Sequence, residues 1–459
     1  MSSSILHIKP EEIDTAEKRG RYTVSIVGCG EVGVLHALLF AEAGFKVVCT
    51  DTNQSIVNNF AKGKTPFLKR EIELKLKNYR KTGQLDFISD VKAAVSPSGI
   101  VVVAVSVKVD KKKKPDYSEM ENVCKRIGLG LRRGSLVIVA STMGIGTTEG
   151  LIKETLENTS GFKTGVDIGL AYSPIQVFNN QTLENLASCR RIVAAVSTDS
   201  SNVASIILGA ITKNGVEKVD NFRTAEVATL FESSQLDANV ALANELALFC
   251  EKAGVDYLEV CRLTNISSDS AVSMPKLAQE DIQGEPYLLL EDAENLNLRL
   301  RIPAIAREVN EETIRHAVNL TKEALRNCGK TLRRARISLL GISKVPNAKS
   351  FPQKTVKALA EALEAKGAKV SLYDPYFSDE ELGEIRKPLN KNLTDAVEDK
   401  DCIIILTGHD QFKRLNLKKL KVVMKMPAAI IDFEGIIEPD KVEKEGIIYR
   451  GLGRGVWTK

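Results

Sequence analysis

The sequence has few residues of the kinds that build metal centres, disulfide scaffolds and membrane helices. Its 8 cysteines are scattered singly without a Cys-x-x-Cys pair, and its 4 histidines show no metal-ligand spacing. This pattern argues against a zinc ribbon and indicates a reduced, cytoplasmic protein without a bound metal. The longest apolar runs, at 100–105 and 402–406, have the length of strands, well short of the ~20 residues of a membrane helix.

Charged residues are many but nearly balanced. The 64 basic and 59 acidic side chains give a net charge of +5, which is small for 459 residues. Nucleic acid is therefore not expected as a partner, although a weakly basic chain suits small anionic ligands. The lysine run at 111–114 is followed by Pro-Asp, a turn signal, and is interpreted as a solvated loop rather than a phosphate clamp. The polar start of the chain does not resemble a secretory signal.

The order of apolar segments predicts the fold class. Strand-like runs at 23–27, 46–50, 100–105, 136–140 and 192–196 alternate with helix-length sequence, and the alternation restarts near residue 336. Between these regions lie two long amphipathic helices, predicted at 224–253 and 302–327 and separated by a loop at 267–285. We expect two Rossmann-like, doubly wound parallel-sheet domains joined by a central helical domain. The predicted boundaries are an N-terminal tail at 1–20 and domains at 21–219, 220–330 and 331–459.

A glycine-rich turn is the clearest chemical motif. Gly28-Cys29-Gly30-Glu31-Val32-Gly33 follows a predicted strand and opens a predicted helix, which is the context in which a pyrophosphate binds to a helix N-terminus. Asp51 ends the next strand, where a carboxylate can accept hydrogen bonds from a ribose and repel a 2′-phosphate. The pattern predicts NAD as the cofactor in preference to NADP; the alternative is a glycine turn that binds nothing.

Further motifs along the chain resemble those of the UDP-glucose/GDP-mannose dehydrogenase family, particularly its UDP-N-acetylmannosamine dehydrogenase branch. The resemblance extends from about residue 22 to 455 and depends on order and spacing rather than on one motif. Besides the glycine turn, the matching residues are Gly63 with Pro66, Lys114-Pro115-Asp116, Ser141-Thr142 with Gly146-Thr147-Thr148, Ala171-Tyr172-Ser173-Pro174, Ala225-Glu226, Ala243-Asn244-Glu245, Ala306-Arg307-Glu308-Val309-Asn310, Tyr373-Asp374-Pro375-Tyr376, Gly408-His409-Asp410 and Gly451-Leu452-Gly453-Arg454-Gly455.

This resemblance implies a four-electron oxidation of a sugar C6 alcohol to a carboxylate with two NAD molecules. A cysteine traps the aldehyde and forms a thioester, a lysine and an asparagine stabilise the oxyanion, acidic residues manage protons and a threonine helps to position water. The chain departs from the family at most of these positions, although Thr142 is retained. The replacements are Ile175 for the glutamate after Ser-Pro, Thr229 for the lysine, Ser233 for the asparagine, Asp281 for the cysteine, Glu285 for the aspartate that follows it, and Glu434 for the arginine of Asp-x-Arg, while the lysine of the KPN motif is displaced to Lys344.

Two sets of candidate site residues follow. Thr142, Asp281 and Glu285 are the catalytic candidates. Thr142 could instead cap a helix. Asp281 and Glu285 could instead belong to a solvated acidic loop, which the composition of the segment favours. Cys261 and His36 are interpreted as core residues. The residues expected to bind NAD are Gly28, Gly30, Glu31, Val32, Gly33, Asp51, Ser106 and Thr142.

Two functions remain open at this point. The first is a degenerate, non-catalytic or regulatory family member that binds NAD and works beside an active paralogue. The second is an NAD-dependent oxidoreductase that acts on a nucleotide sugar in glycan precursor synthesis with altered catalytic residues. In both, the family resemblance implies a homodimer formed through the 224–253 helix, and a membrane is not expected as a partner.

Overall fold

The computed structural model describes residues 4–62, 70–175, 183–265, 272–277, 284–348, 353–378, 385 and 387–455. The chain forms two compact units. The first contains Met1–Ser234 and Gly284–Arg299, and the second contains Gln235–Gln283 and Leu300–Lys459. Each unit is built around its own, mainly parallel β-sheet.

Strands and helices alternate along most of the chain. The strands are β1 Thr23–Val27, β2 Lys46–Thr50, β3 Leu85–Ile88, β4 Ile100–Val103, β5 Lys108–Val109, β6 Pro115–Asp116, β7 Leu136–Val139, β8 Gly169–Tyr172, β9 Arg191–Ala195, β10 Val216–Val219, β11 Arg336–Leu340, β12 Lys369–Tyr373, β13 Cys402–Ile405, β14 Ala429–Asp432, β15 Ile448–Gly451 and β16 Arg454–Gly455. The α-helices are α1 Ala16–Arg19, α2 Glu31–Glu42, α3 Gln54–Ala61, α4 Arg70–Lys81, α5 Val91–Val95, α6 Ser118–Gly128, α7 Lys153–Ser160, α8 Leu183–Ser188, α9 Thr198–Gly209, α10 Phe222–Ala253, α11 Tyr257–Thr264, α12 Glu285–Asn295, α13 Arg301–Asn327, α14 Lys354–Ala365, α15 Leu393–Val397, α16 Asp410–Lys413, α17 Leu417–Val423 and α18 Pro439–Lys444. Short 3-10 helices span Ile5–His7 and Pro10–Glu12, and a π-helical turn spans Thr148–Ile152.

The sheet of the first unit has the strand order β10-β9-β8-β7-β4-β1-β2-β3. Its strands are parallel except that β8 and β9 are antiparallel. Ile100 and Val102 of β4 pack into one hydrophobic cluster, whereas Val101 and Val103 pack into another. Because successive side chains point to opposite faces, both faces of β4 are buried, which explains its uninterrupted apolar sequence. The predicted doubly wound sheet is confirmed.

Residues 4–20 differ from the predicted tail. Ile5 and Ile13 are buried in the core of the first unit, and the Ile5 N–H donates to the Gly134 carbonyl over 3.0 Å. The Arg19 side chain donates to the carbonyl of Ile13 over 2.7 Å. Apolar residues in this stretch are too few and too irregularly spaced to give a periodic signal, so only the folded structure shows that the segment covers the sheet.

The long central helix α10 agrees with the prediction at 224–253 and begins two residues earlier. Its residues through Ser234 belong to the first unit and the remainder to the second. In the second unit α10 leaves large apolar side chains exposed, namely Leu242, Leu246 and Phe249. Helix α13 agrees with the prediction at 302–327 and begins one residue earlier. Ile302 and Ile305 are exposed near its start. Among the helices of the described ranges, none combines the length and apolar character that crossing a bilayer requires.

The predicted loop at 267–285 ends where helix α12 begins. Glu285 is the first residue of α12, and Pro286 lies in its first turn, where proline's fixed φ and missing N–H are tolerated. The described stretch 272–277 is irregular, as predicted. Asp281 lies outside the described residues.

The sheet of the second unit has the strand order β12-β11-β13-β14-β15-β16. Its strands are parallel except for β16, which pairs antiparallel with β15. The chain runs from β11 to β12 on one side and then returns to place β13 on the other. The direction in which the chain adds strands to the sheet therefore reverses between β11 and β13, which is the kind of place where open α/β sheets bind ligands, outside the carboxyl ends of the strands.

Candidate functional site

The glycine turn after β1 has the shape of a phosphate cradle. Gly28 has φ 107°, and a Cβ on Gly28 would lie 2.4 Å from the carbonyl oxygen of Ala104. A Cβ on Gly33 would lie 1.8 Å from the Gly28 carbonyl oxygen, so only glycine fits where α2 crosses the turn. A Cβ on Gly30, in contrast, meets nothing within 4 Å. The middle glycine therefore borders open space, into which a pyrophosphate can approach the backbone.

The start of helix α2 completes this cradle. Its N-cap residue, Gly30, makes no side-chain cap bond, and the N-terminus of a helix that follows such a turn is a favoured position for an anion. Asp51 follows β2, and its carboxylate accepts the N–H of Cys29 over 2.8 Å and that of Asn53 over 2.8 Å. These bonds hold the carboxylate beside the turn with lone pairs left for a ribose. The residues present therefore fit a dinucleotide.

The other predicted cofactor residues lie at the same edge of the sheet. Ser106 follows β4 and is exposed, and Thr142 follows β7 and is half-buried. Strands β7, β4, β1 and β2 are consecutive neighbours, so Thr142, Ser106, the glycine turn and Asp51 stand in one row at their carboxyl ends. Glu31 and Val32 are half-buried in the first turn of α2.

A loop at 143–148, directly after Thr142, is held by side chains from distant parts of the first unit. Glu226 of α10 accepts the Gly146 N–H over 2.6 Å and the Thr148 N–H over 2.9 Å. Asp292 of α12 accepts the Ile145 N–H over 2.7 Å. The remaining bonds run from Gly144 N–H to the Tyr117 hydroxyl over 3.2 Å and from Met143 N–H to the Tyr172 hydroxyl over 3.4 Å. Sequence reasoning missed this use of Tyr117, Tyr172 and Asp292, and only the Ala225-Glu226 motif drew attention to Glu226.

The two carboxylates that hold this loop affect each other. Glu226 is fully buried and Asp292 half-buried. Desolvation raises the pKa of Glu226, the charge of Asp292 adds to the rise, and the backbone hydrogen bonds oppose it. Desolvation likewise raises the pKa of Asp292. The loop is thus positioned by acids that tolerate burial because backbone N–H groups surround them.

Helix α12 is also attached to the lysine run. All four side chains of residues 111–114 are exposed, as the solvated-loop interpretation predicts. Lys114, which lies next to the short β5–β6 hairpin, pairs with Glu291 and, over 2.6 Å, with Glu294 of α12. The same helix supplies Asp292 to the 143–148 loop, so α12 connects the hairpin with the loop that follows Thr142.

His36 lies inside α2, as the interpretation of a core histidine predicts. It is 1% exposed, its Nδ1 bonds to the Val32 carbonyl over 2.8 Å, and its Nε2 lies 3.2 Å from a guanidinium nitrogen of Arg191. Arg191 is itself buried, and two of its nitrogens have no hydrogen-bond partner among the described residues. Burial, and after it the charge of Arg191, lowers the pKa of His36 to about 3. His36 is therefore a neutral acceptor for a buried cation.

In the second unit, the loops at the reversal point are joined by a buried acid–histidine pair. Asp374, after β12, accepts the N–H groups of Ile342 and Ser343 over 2.7 and 2.9 Å. His409 Nε2 donates to Asp374 over 3.1 Å, while its Nδ1 accepts the Asn347 N–H over 2.9 Å. Burial works against the charged acid, but the His409 and backbone hydrogen bonds outweigh it and lower the pKa of Asp374. Both side chains are buried, which indicates a role in fixing the loops rather than in reacting.

Two carboxylates follow β14 at the same edge of this sheet. Asp432 is buried and accepts the N–H of Ile437 over 2.8 Å and the hydroxyl of Tyr449 over 3.3 Å. Glu434 is exposed, and its Oε2 would lie 3.4 Å from a Cβ built on Gly408, in the loop after β13. Desolvation by the surrounding chain, and then the nearby Asp432 charge, raises the pKa of Glu434 to about 7.

Comparison with known proteins agrees with both sites. The family models for the NAD-binding, central and UDP-binding domains of UDP-glucose/GDP-mannose dehydrogenases match residues 22–210, 223–312 and 339–439. The chain belongs to the UDP-glucose/GDP-mannose dehydrogenase family. Its first unit thus holds an NAD-binding domain, and the predicted cofactor, NAD, is confirmed.

Individual members of the family resemble the chain over nearly its full length. The UDP-N-acetyl-D-mannosamine dehydrogenase of Pyrococcus horikoshii is 29% identical over 94% of this chain and 99% of its own. The solved structure of a UDP-D-ManNAc dehydrogenase from the same organism has a TM-score of 0.82 and covers 95% of this chain and 100% of its own, at 28% identity. An NDP-N-acetyl-D-galactosaminuronic acid dehydrogenase from Methanosarcina mazei has a TM-score of 0.74 at 27% identity and covers 97% of this chain and 98% of its own.

The described residues at the expected catalytic positions of the family are mostly buried. Ile175 is 7% exposed, Thr229 3% and Ser233 2%. The Thr229 hydroxyl donates to the Ala225 carbonyl over 3.0 Å within α10. Glu285 is half-buried at the start of α12. Thr142 is the catalytic candidate that lies at the edge where the cofactor residues stand.

The thiols of this chain are poorly placed for nucleophilic attack. All eight cysteines fall within the described ranges, and all but Cys189, which is half-buried, are buried. Burial raises the pKa of Cys124 to about 12 and that of Cys328 to about 11. Cys261 is buried beside Cys250 and Tyr257 in a small cluster, as the core interpretation predicts.

Proposed function

We propose that this chain binds NAD and a nucleotide sugar but does not carry out the four-electron oxidation, and that it serves as a non-catalytic partner of an active family member. The open space above Gly30, the uncapped start of α2 and the Asp51 carboxylate would hold the dinucleotide. The second unit would hold the nucleotide part of the sugar at the reversal point of its sheet. NAD, when bound, would supply a hydride acceptor.

The main support for this proposal comes from the thiols. A thiolate is needed to trap the aldehyde, and thiolates form at cysteines that are reachable and have a lowered pKa. Seven of the eight cysteines are buried, and for Cys124, Cys328 and Cys402 burial raises the pKa. A carboxylate at position 281 does not replace this chemistry, because it cannot form a thioester.

The replacement of the lysine points in the same direction. Thr229 is buried and its hydroxyl is used within its own helix, so no ammonium group is supplied there to stabilise an oxyanion. Loss of one oxyanion donor lowers the rate by about 10²–10³ in enzymes that have been measured. Loss of the nucleophile as well would leave little of the second oxidation.

A two-electron NAD-dependent oxidoreductase is the second candidate. It is favoured by Thr142, whose position in the cofactor row would allow it to orient a substrate hydroxyl beside the nicotinamide. This activity would need neither a thiol nor a second NAD. It would give one NADH for each sugar converted.

Counting NADH distinguishes the candidates. Protein at stoichiometric concentration is mixed with NAD and a panel of UDP-sugars, and absorbance at the NADH wavelength is followed. We expect that no NADH forms, although the same protein binds NADH in a parallel fluorescence titration. One NADH per sugar would replace the proposal by the two-electron enzyme, and two would overturn it entirely. In that last case Cys189→Ser would test the half-buried thiol, with Cys261→Ser as the matched control.

We further propose that the chain forms a homodimer through α10. Leu242, Leu246 and Phe249 are exposed and follow one another at spacings of four and three residues, so they form an apolar stripe on one face of α10. Phe249 is 70% exposed, so contact of this stripe with a second copy would remove apolar area from water. Size-exclusion chromatography with light scattering measures the mass, and a clean monomer would contradict the proposal.

A further inference from the structure

Helix α17 and the residues beside it carry a concentrated positive charge. The stretch 411–431 contains no aspartate or glutamate, and six of its side chains are basic, namely Lys413, Arg414, Lys418, Lys419, Lys421 and Lys425. All six residues are exposed. Their number exceeds the net charge of +5 of the entire chain, so the near balance of charge over 459 residues conceals a local basic surface. We call these six residues, together with Val422, the α17 surface.

Neighbouring acids neutralise few of these charges. The Lys413 ammonium pairs with Asp410 over 3.1 Å, and that of Lys421 lies 4.0 Å from Glu445. Within the part of the chain that the structure describes, the other four basic side chains form no ion pair with a carboxylate. The α17 surface therefore keeps positive charge available for an anionic partner.

The packing of α17 turns its basic side chains to solvent. Leu420 is buried in the hydrophobic cluster that contains side chains from β13 and β14, so this side of the helix faces the sheet. Lys418 and Val422 are each two residues from Leu420, which places them about 160° from it around the helix axis. Lys419 and Lys421 lie on either side of them. The outward face of α17 therefore consists of three lysines around one valine.

The valine indicates which kind of anionic partner fits this face. Val422 is 81% exposed, more than any other large apolar side chain among the described residues. An aliphatic side chain surrounded by lysines suits the boundary between anionic headgroups and acyl chains, where ammonium groups meet phosphates and apolar groups leave water. Nucleic acid is matched less well, because it is bound largely through arginine forks and stacked rings. The six basic residues include one arginine, and the aromatic residue of this stretch, Phe412, is buried.

We propose that the α17 surface binds the chain reversibly to anionic lipid bilayers, with its basic side chains at the lipid phosphates and Val422 between the headgroups. Such peripheral binding needs no helix that crosses the bilayer. Each basic residue near an anionic bilayer strengthens binding by about fivefold, and salt weakens this attraction by screening it. The inference concerns the outer side of α17 and does not depend on whether the chain oxidises a sugar.

The experiment is co-sedimentation of the full chain with phosphatidylcholine vesicles that contain either no anionic lipid or about 30% phosphatidylglycerol, at about 0.1 M and about 0.5 M salt. Besides the unaltered chain, three variants are compared. The surface variant combines Lys418→Gln, Lys419→Gln and Lys425→Gln, and the second variant is Val422→Ser. The matched control combines Lys322→Gln, Lys366→Gln and Lys369→Gln, which removes three exposed lysines from other elements of the same unit. Thermal melting checks that each variant is folded.

We expect the unaltered chain and the control to bind the anionic vesicles, more weakly at the higher salt, and not to bind the neutral ones. The surface variant should bind about a hundredfold more weakly, because three charges are removed. Val422→Ser should bind up to about tenfold more weakly, because its apolar contact with the lipid is lost.

Three results would overturn the proposal. The first is that the unaltered chain does not bind anionic vesicles at the lower salt. The second is that the surface variant binds them as tightly as the control, which would place the contact elsewhere on the chain. The third is binding to a fluorescent DNA duplex, lost in the surface variant, by a chain that does not sediment with vesicles. That result would assign the α17 surface to nucleic acid instead.

Discussion

Acidification should lower the stability of helix α2, which follows the glycine turn, because His36 is buried there in its neutral form. In the folded chain the pKa of His36 is lowered to about 3, whereas an unfolded histidine titrates near 6.5. Between these values the unfolded state binds more protons, so stability rises with pH. The contribution of His36 is therefore fully present above about pH 6.5 and is lost as the pH falls from there towards 3.

The size of the effect depends mainly on the unfolded pKa. Each pH unit within the window changes the free energy of unfolding by about 1.4 kcal/mol, and lowering the pH from 7 to 5 should cost about 2 kcal/mol. The structural cause is specific. A proton on Nε2 would place an imidazolium 3.2 Å from the buried guanidinium of Arg191, where the described residues provide no carboxylate hydrogen-bonded to that guanidinium.

Hydrogen exchange detected by mass spectrometry measures this locally. The free energy of opening of α2 peptides is compared at pH 7 and pH 5, after correction for intrinsic exchange, because a chain with two units need not unfold in one step. His36→Gln keeps an acceptor for Arg191 and cannot titrate in this range, so it should lose about 2 kcal/mol less than the unaltered chain. His7→Gln, at an exposed position of the same unit, is the control. If His36→Gln and the unaltered chain lose stability equally, the buried-histidine reasoning is wrong.

Substitutions at three other residues test the NAD site, the 143–148 loop and the dimer contact. Asp51→Ala should weaken NADH binding by about tenfold to a hundredfold, because a charge-assisted partner of the ribose is lost, and should reduce discrimination against NADPH in fluorescence titrations. Glu226→Ala should lower the melting temperature of the first unit more than Glu226→Gln, since alanine leaves two N–H groups of the 143–148 loop without acceptors; equal shifts would contradict this. Phe249→Glu should convert a dimer to a monomer in light scattering, and an unchanged mass would argue against α10 as the contact.

Local sequence predicted well the elements whose structure depends on a periodic pattern or on residues close together in the chain. Strand β4 is a continuous apolar run because both of its faces are buried, and the glycine turn follows from a spacing of three glycines beside a strand and a helix. The family resemblance in addition predicted that the second sheet belongs to a Rossmann-like domain. The predicted domain boundaries and the loss of catalysis remain predictions.

What local sequence could not supply are the contacts between residues far apart in the chain. Nothing near Asp292 indicates that it accepts the Ile145 N–H, and nothing near Arg191 indicates that His36 is its partner. The first segment of the chain likewise looks polar until Ile5 and Ile13 are found in the core.

The sequence by itself therefore determined the order of strands and helices, the phosphate-binding turn and the family, because these depend on periodicity and on residues close together in the chain. Only the tertiary structure decided which acids hold the loop after Thr142, that His36 is the partner of Arg191, and that most of the thiols are buried. The physical reason is that burial and desolvation are set by packing among distant segments, and these control whether a carboxyl, an imidazole or a thiol is charged.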